Sequence, residues 1–117
     1  MIVKLNQSDS LDEWLDFIDQ ITLDEIELGL ERVNQVYKNL NIKQSFPIVM
    51  VGGTNGKGST CAFLESIYHN AGYKVASYSS PHFFKFNERI RINKTHCSDQ
   101  LIVDALYRIN KARENIP

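Results

Sequence analysis

Leu11, Trp14, Leu15 and Ile18 recur at three- and four-residue intervals just behind Ser10-Leu11-Asp12-Glu13. A hydroxyl followed three residues later by a carboxylate is a capping box. The pattern therefore predicts a helix over about residues 11–20. Thr22-Leu23-Asp24-Glu25 repeats the capping signature, and Ile26, Leu30, Val33, Tyr37 and Leu40 continue the helical spacing. Gly29 interrupts this second stripe, so its first turns are open to a loop reading. Asn39-Leu40-Asn41 ends it.

The pattern then changes. Ile48-Val49-Met50-Val51 is a short unbroken apolar run, the mark of a strand buried on both faces. A glycine-rich stretch follows at once. Thr60 to Asn70, with Ala62, Phe63, Leu64 and Ile67, predicts a helix closed by Gly72. Tyr73 to Tyr78 predicts a second strand. Strand, loop, helix, strand is a βαβ unit, which implies a parallel sheet. The expected fold is α/β: a P-loop NTPase-like parallel sheet with flanking helices. Ser79-Ser80-Pro81-His82 predicts a loop, Ile90-Arg91-Ile92 a short strand, and Ser98 the cap of a last helix carrying Ile102, Leu106 and Ile109.

Composition narrows the class without naming a chemistry. The chain has 117 residues, 43% hydrophobic and 23% charged, as in ordinary globular domains. A formal charge of −1 supplies no field toward nucleic acid or an anionic membrane. No run approaches the roughly 20 apolar residues of a membrane span. Met1 to Asp9 lacks the apolar core of a signal peptide, so a cytoplasmic location is expected. Cys61 and Cys97 form no CxxC pair and are expected to be free thiols. The chain ends at Pro117 just past a helical pattern, and is expected to be a piece of a longer protein.

The chemistry lies in Gly52-Gly53-Thr54-Asn55-Gly56-Lys57-Gly58-Ser59. A glycine-rich turn between a strand and a helix presents backbone N–H groups at a helix N-terminus, where phosphate is attracted. Lys57 adds a full charge toward the β- and γ-phosphates of a nucleotide, and Ser59 or Thr60 can offer a hydroxyl to Mg²⁺. The standard P-loop has a glycine where Val51 stands and a Ser or Thr where Gly58 stands.

That departure resembles the P-loop of the Mur-ligase superfamily. Within it, the chain resembles the folate branch, folylpolyglutamate synthase and bifunctional dihydrofolate synthase. Leu28-Gly29-Leu30-Glu31-Arg32-Val33 resembles the family's segment before the first strand, Ser79-Ser80-Pro81-His82 its omega loop, and Phe86-Asn87-Glu88-Arg89-Ile90 the motif after it. The resemblance runs from about Trp14 to Ile92 in the family's order. It implies a monomeric ATP-dependent amide ligase that joins L-glutamate to dihydropteroate or folate through an acyl phosphate. ATP and Mg²⁺ are the implied cofactors, and neither nucleic acid nor membrane is an implied partner.

By resemblance, Asn55, Gly56, Lys57, Gly58 and Ser59 hold the ATP phosphates, with Lys57 as the catalytic cation. Ser80 and Ser59 serve Mg²⁺, and Ile26, Glu27 and Leu28 lie against the pterin-type substrate. Family members often carry Asp where Glu27 stands and Ala where Gly52 stands. They are several times longer. Their further metal ligands, substrate lysine and glutamate-binding C-terminal domain have no counterpart here. The chain is thus expected to be the N-terminal part of the ATP-binding domain, inactive alone.

Other readings compete. A P-loop kinase or NTPase would want Ser or Thr after Lys57 and an acidic strand end, and neither is present. A non-catalytic nucleotide-binding module remains a third reading. Arg89 and Arg91 alternate with Ile90 and Ile92, either toward an anionic substrate or on a solvated strand face. Phe83, Phe84 and Phe86 form either a stacking platform or an apolar patch. His82 has no assigned role, His69 and His96 are expected at the surface, and Cys61 in the core.

Overall fold

Ser10 caps the first helix as its sequence predicts. Its hydroxyl accepts the Glu13 N–H at 3.2 Å, and the Glu13 carboxylate accepts the Ser10 N–H at 2.7 Å. The structure is a computed structural model that describes residues 4–22, 28–114 and 116. Its contacts divide the chain into two compact units, residues 1–45 with 99–117, and residues 46–98.

The first unit is helical. α1 spans Leu11–Ile21, α2 Glu31–Leu40 and α4 Asp99–Arg113. Its core is Trp14, 1% exposed, with Leu11, Ile102 and Val103. Phe17 and Tyr107 meet the Trp14 ring edge-on at 6.0 and 6.4 Å. The indole N–H reaches the Asn6 carbonyl at 3.1 Å, so the one polar atom of the buried ring is satisfied. The helix start expected at Thr22-Leu23-Asp24-Glu25 falls, beyond Thr22, outside the described residues. Thr22 itself ends α1, donating its hydroxyl to the Ile18 carbonyl at 2.8 Å. Leu28, Gly29 and Leu30 are not helical, in line with the loop reading of that stretch. α2 stops at Asn41, whose φ of 51° is the left-handed conformation asparagine tolerates.

The second unit holds α3, Lys57–Asn70, and a small sheet of β1 (Ala76–Tyr78), β2 (Ile90–Ile92) and β3 (Thr95–His96). The α/β class holds, but both strand pairings are antiparallel, in the order β1-β2-β3. The expected parallel sheet is therefore corrected. Ile48–Val51 has no ladder partner among the described residues, and Ile48, Val49 and Met50 are exposed. β1 instead pairs with β2, Ala76 opposite Ile92, Ser77 opposite Arg91 and Tyr78 opposite Ile90. For β2 and β3 the reason is local. Asn93 and Lys94 both take positive φ, 49° and 67°, the two-residue turn that folds β2 back on β3. Asn93 also closes the far end of β1–β2, donating its N–H to the Val75 carbonyl at 2.8 Å and accepting the Val75 N–H on its side chain at 3.0 Å.

Candidate functional site

The glycine-rich loop enters α3 without a side-chain cap. Gly56 is the residue before the helix, with φ 76° and ψ 7°, and it has no side chain to accept the first-turn N–H groups. The first intrahelical donor is the Thr60 N–H, to the Gly56 carbonyl at 3.0 Å. The N–H groups of Lys57, Gly58 and Ser59 thus precede the helix ladder and face outward at its positive end. A Cβ built on Gly52, Gly56 or Gly58 would meet nothing within 4 Å, so the lip of the loop is open. Residues 52–60 are all exposed. Thr60 turns its hydroxyl back to the Gly56 carbonyl at 2.8 Å. Of the two hydroxyls considered for a cation, Ser59 is the one not folded back on the helix in this way.

Ser80 is carried by a loop tied on both sides. Before it, the Ser79 N–H donates to the Arg89 carbonyl at 2.9 Å. After it, the Glu88 carboxylate accepts the N–H groups of Phe83, Phe84 and Lys85 at 3.0, 2.8 and 2.6 Å. These three bonds, Lys85 foremost and then Phe83 and Phe84, hold the Glu88 carboxyl down at about 2, against a small opposing cost of burial. Asn87 fastens the same turn to β3's end, donating its side-chain amide to the Cys97 carbonyl at 2.8 Å. Burial pushes the Cys97 thiol up, and a bond from the Ser98 backbone only partly offsets it. Both cysteines are free, as expected.

Arg89 and Arg91 are not a solvated strand face. Arg89 donates Nε–H to His82 Nδ1 at 2.8 Å and lies over the Phe86 ring at 5.4 Å. Arg91 pairs with Glu65 of α3 at 3.0 Å. His82 is therefore a structural partner and half-buried. Phe83 and Phe84 are exposed, whereas Phe86 is covered by Arg89 and by the edge of His82. Cys61 is half-buried rather than in the core, and lines a cavity of about 50 Å³ with Gly58, Ala62, Glu65, Ser77, Ser79 and Arg91. His69 is also only half-exposed, with a buried Nδ1. His96 is exposed.

Of the expected substrate residues, Ile26 and Glu27 lie outside the described residues, and Leu28 is exposed in the first unit. The larger hollow of that unit, about 310 Å³ between the ends of α2 and α4, contains none of the expected site residues. Sequence reading missed Glu65 and Ser77. Their only signal is a carboxylate and a hydroxyl inside apolar stretches, Leu64-Glu65-Ser66-Ile67 and Val75-Ala76-Ser77-Tyr78.

No family model matches the chain. Several solved folylpolyglutamate synthase structures resemble it. The bifunctional folylpolyglutamate synthase/dihydrofolate synthase of Yersinia pestis CO92 superimposes with a TM-score of 0.89 at 37% identity, covering 97% of this chain and 28% of that one. Escherichia coli FolC, solved with DHPP and ADP, gives 0.88 at 38% identity, again over 97% and 28%. The Yersinia enzyme complexed with AMPPNP and Mn ion gives 0.90 at 37% identity, over 98% and 28%. The fold is thus that of the folylpolyglutamate synthase class of α/β proteins.

Sequence makes the particular family plain. The dihydrofolate synthase/folylpolyglutamate synthase of Buchnera aphidicola subsp. Baizongia pistaciae is 50% identical over 91 residues, 77% of this chain and 21% of that protein. The Escherichia coli K12 protein of the same name is 41% identical over 107 residues, 91% and 25%. The chain belongs to the dihydrofolate synthase/folylpolyglutamate synthase family, and it spans about a quarter of the length of the curated relatives it matches.

Proposed function

We propose that the protein is an ATP-dependent ligase that adds L-glutamate to dihydropteroate or folate, with the residues 52–59 loop as its triphosphate cradle. The observation that carries this reading is the entry into α3: a left-handed glycine, three N–H groups ahead of the helix ladder, and Lys57 as the first helical residue. Such an end suits an anion and, with Lys57, a polyphosphate. Two relatives' structures carry ADP or AMPPNP, and one of them Mn ion, in support.

In this reading the Asn55–Ser59 backbone and Lys57 grip the phosphates of ATP, while Ser59 and Ser80 supply oxygens to Mg²⁺. Among the described residues no three His, Cys, Asp or Glu side chains form a metal cluster. Hydroxyl oxygens are suitable donors for Mg²⁺, which when bound would neutralise phosphate charge. A carboxylate oxygen of the pteroate or folate substrate bonds to the γ-phosphorus as the bond to the ADP oxygen breaks. The glutamate nitrogen then bonds to the acyl carbon, losing a proton, and phosphate leaves. Chemistry of this kind depends on placement and charge more than on a covalent protein group. Ile26, Glu27 and Leu28 are assigned to the pterin side. We place the enzyme in the cytoplasm as a monomer, and the chain in the N-terminal part of the ATP-binding domain. Among the described residues no helix is long and apolar enough to cross a membrane.

Lys57→Ala tests the cradle. The 117-residue chain should bind ATP in isothermal titration, and the variant should lose at least about tenfold in affinity, the worth of one charge-assisted contact. Equal binding by the two overturns the assignment.

A further inference from the structure

Among the described residues Glu65 is the only charged side chain that is buried, at 4% exposure. It lies on α3 eight residues beyond Lys57, about two turns along the helix. A carboxylate out of water needs partners, and Glu65 has two, on two different strands. It accepts the Ser77 hydroxyl of β1 at 2.7 Å and pairs with Arg91 of β2 at 3.0 Å. Ser77 and Arg91 are direct cross-strand partners, so both project from one face of the sheet. Arg91 is fixed in turn by donating to the Lys94 carbonyl at 3.2 Å. Its Nε is buried without a protein partner, beside a cavity whose 50 Å³ is room for about one water. Gly58, in the first turn of α3, and Ser79, next to Ser80, line that cavity too.

We infer that Glu65 is a positioning residue for the metal–nucleotide complex. It brackets the helix that presents Lys57 and Ser59 to β1, which ends at Tyr78 just ahead of Ser79 and Ser80. The inference rests on the reading above, in which Ser59 and Ser80 serve one cation. α3 and β1 are joined covalently only through residues 71–75, at the end away from the glycine loop. About two turns along α3 from the glycine loop, the Glu65 bracket is a second, non-covalent tie between helix and strand, and it sets how far the Ser80 hydroxyl stands from the phosphate-binding turn. Glu65 itself touches neither cation nor phosphate. The backbone N–H groups of the turn belong to α3 alone and do not depend on the bracket. Its loss therefore falls on the part of nucleotide affinity that magnesium adds.

The test titrates ATP into the 117-residue chain with magnesium chloride and with EDTA, and takes the ratio of the two affinities. Glu65→Gln should shrink that ratio about tenfold, as loss of a supporting partner does at metal sites, with EDTA affinity nearly unchanged. Ser77→Ala, which leaves the ion pair in place, should shrink it about threefold. Glu65→Gln with Arg91→Gln should recover most of the ratio, because the unpaired buried charge is gone and two amides can bond each other. A purely stabilising role would lower the melting temperature and leave the ratio alone. An unchanged ratio in folded Glu65→Gln overturns the inference, and Ser77→Ala decides in the same way if that variant does not fold. A wild-type chain that binds no ATP overturns the ligase reading and this inference together. Wild-type binding abolished by Lys57→Ala, with the ratio untouched in the bracket variants, overturns this inference alone.

Discussion

Arg89 donates its Nε–H to Nδ1 of His82 at 2.8 Å while its guanidinium lies over the Phe86 ring at 5.4 Å. One planar cation thus holds both ends of the 82–86 turn. An ammonium cannot do this, since it lacks the flat face and the fixed fork. Arg89→Lys should cost about 1 kcal/mol in urea denaturation, the sum of a modest hydrogen bond and an exposed cation–π contact. In nitrogen-15 spectra of the wild type, the His82 ring should carry its proton on Nε2. In the variant the Nδ1 resonance should move.

Glu88 makes the same turn sensitive to acid. Its folded pKa lies at about 2, below the ordinary carboxylate value of 4.5, because it accepts the N–H groups of Lys85, Phe83 and Phe84. The unfolded carboxyl therefore takes up its proton first as pH falls. The stabilisation is complete above about 4.5 and is lost as pH falls through about 2. Exchange protection of the Phe84 and Lys85 amides should persist at pH 5 and vanish near pH 2. Glu88→Gln should lower it already at neutral pH.

Two glycines of the cradle should respond to alanine in opposite ways. Neither offers a steric obstacle to a Cβ. Gly56 has φ 76°, where a side chain is strained, so Gly56→Ala should destabilise by about 1 kcal/mol and weaken ATP binding. Gly58 lies inside α3 without positive φ. Gly58→Ala should leave stability unchanged or raise it by up to about 1 kcal/mol, the difference in helix propensity. Thermal melts and ATP titrations of both variants check the contrast.

In the helical unit, Trp14→Ala removes the largest buried side chain. It should cost about 3–5 kcal/mol in chemical denaturation. Ser10→Ala, which removes only the hydroxyl half of the capping box, should cost about 1 kcal/mol.

Helices were more legible than strands, for a physical reason. Capping residues and helical spacing are local, so Ser10, the Leu11–Ile18 stripe and Gly72 mark their elements in the sequence alone. Gly72 closes α3 as expected, donating to the His69 carbonyl at 3.0 Å. Strand pairing is not local. The alternation at Ile90–Ile92 marks a strand without saying which way its neighbour runs. The antiparallel answer lay in Asn93-Lys94, a turn pair weaker in sequence than Asn-Gly. The glycine-rich loop stood out in the sequence because glycines just ahead of a helix suggest an anion site, a reading that stays a proposal. Glu65 did not, because a glutamate on a helix is ordinarily solvated, and its burial depends on Ser77 and Arg91 far along the chain.

The Ile48–Val51 segment also governs how the chain behaves in company. Without ladder bonds among the described residues, and with Ile48, Val49 and Met50 exposed, Met50 at 91%, this segment is a template for a strand from another molecule. With a net charge of only −1 there is little mutual repulsion to keep copies apart. At high concentration the 117-residue chain should therefore self-associate edge to edge, and its colloidal behaviour will be set by four residues that lie outside the glycine-rich loop.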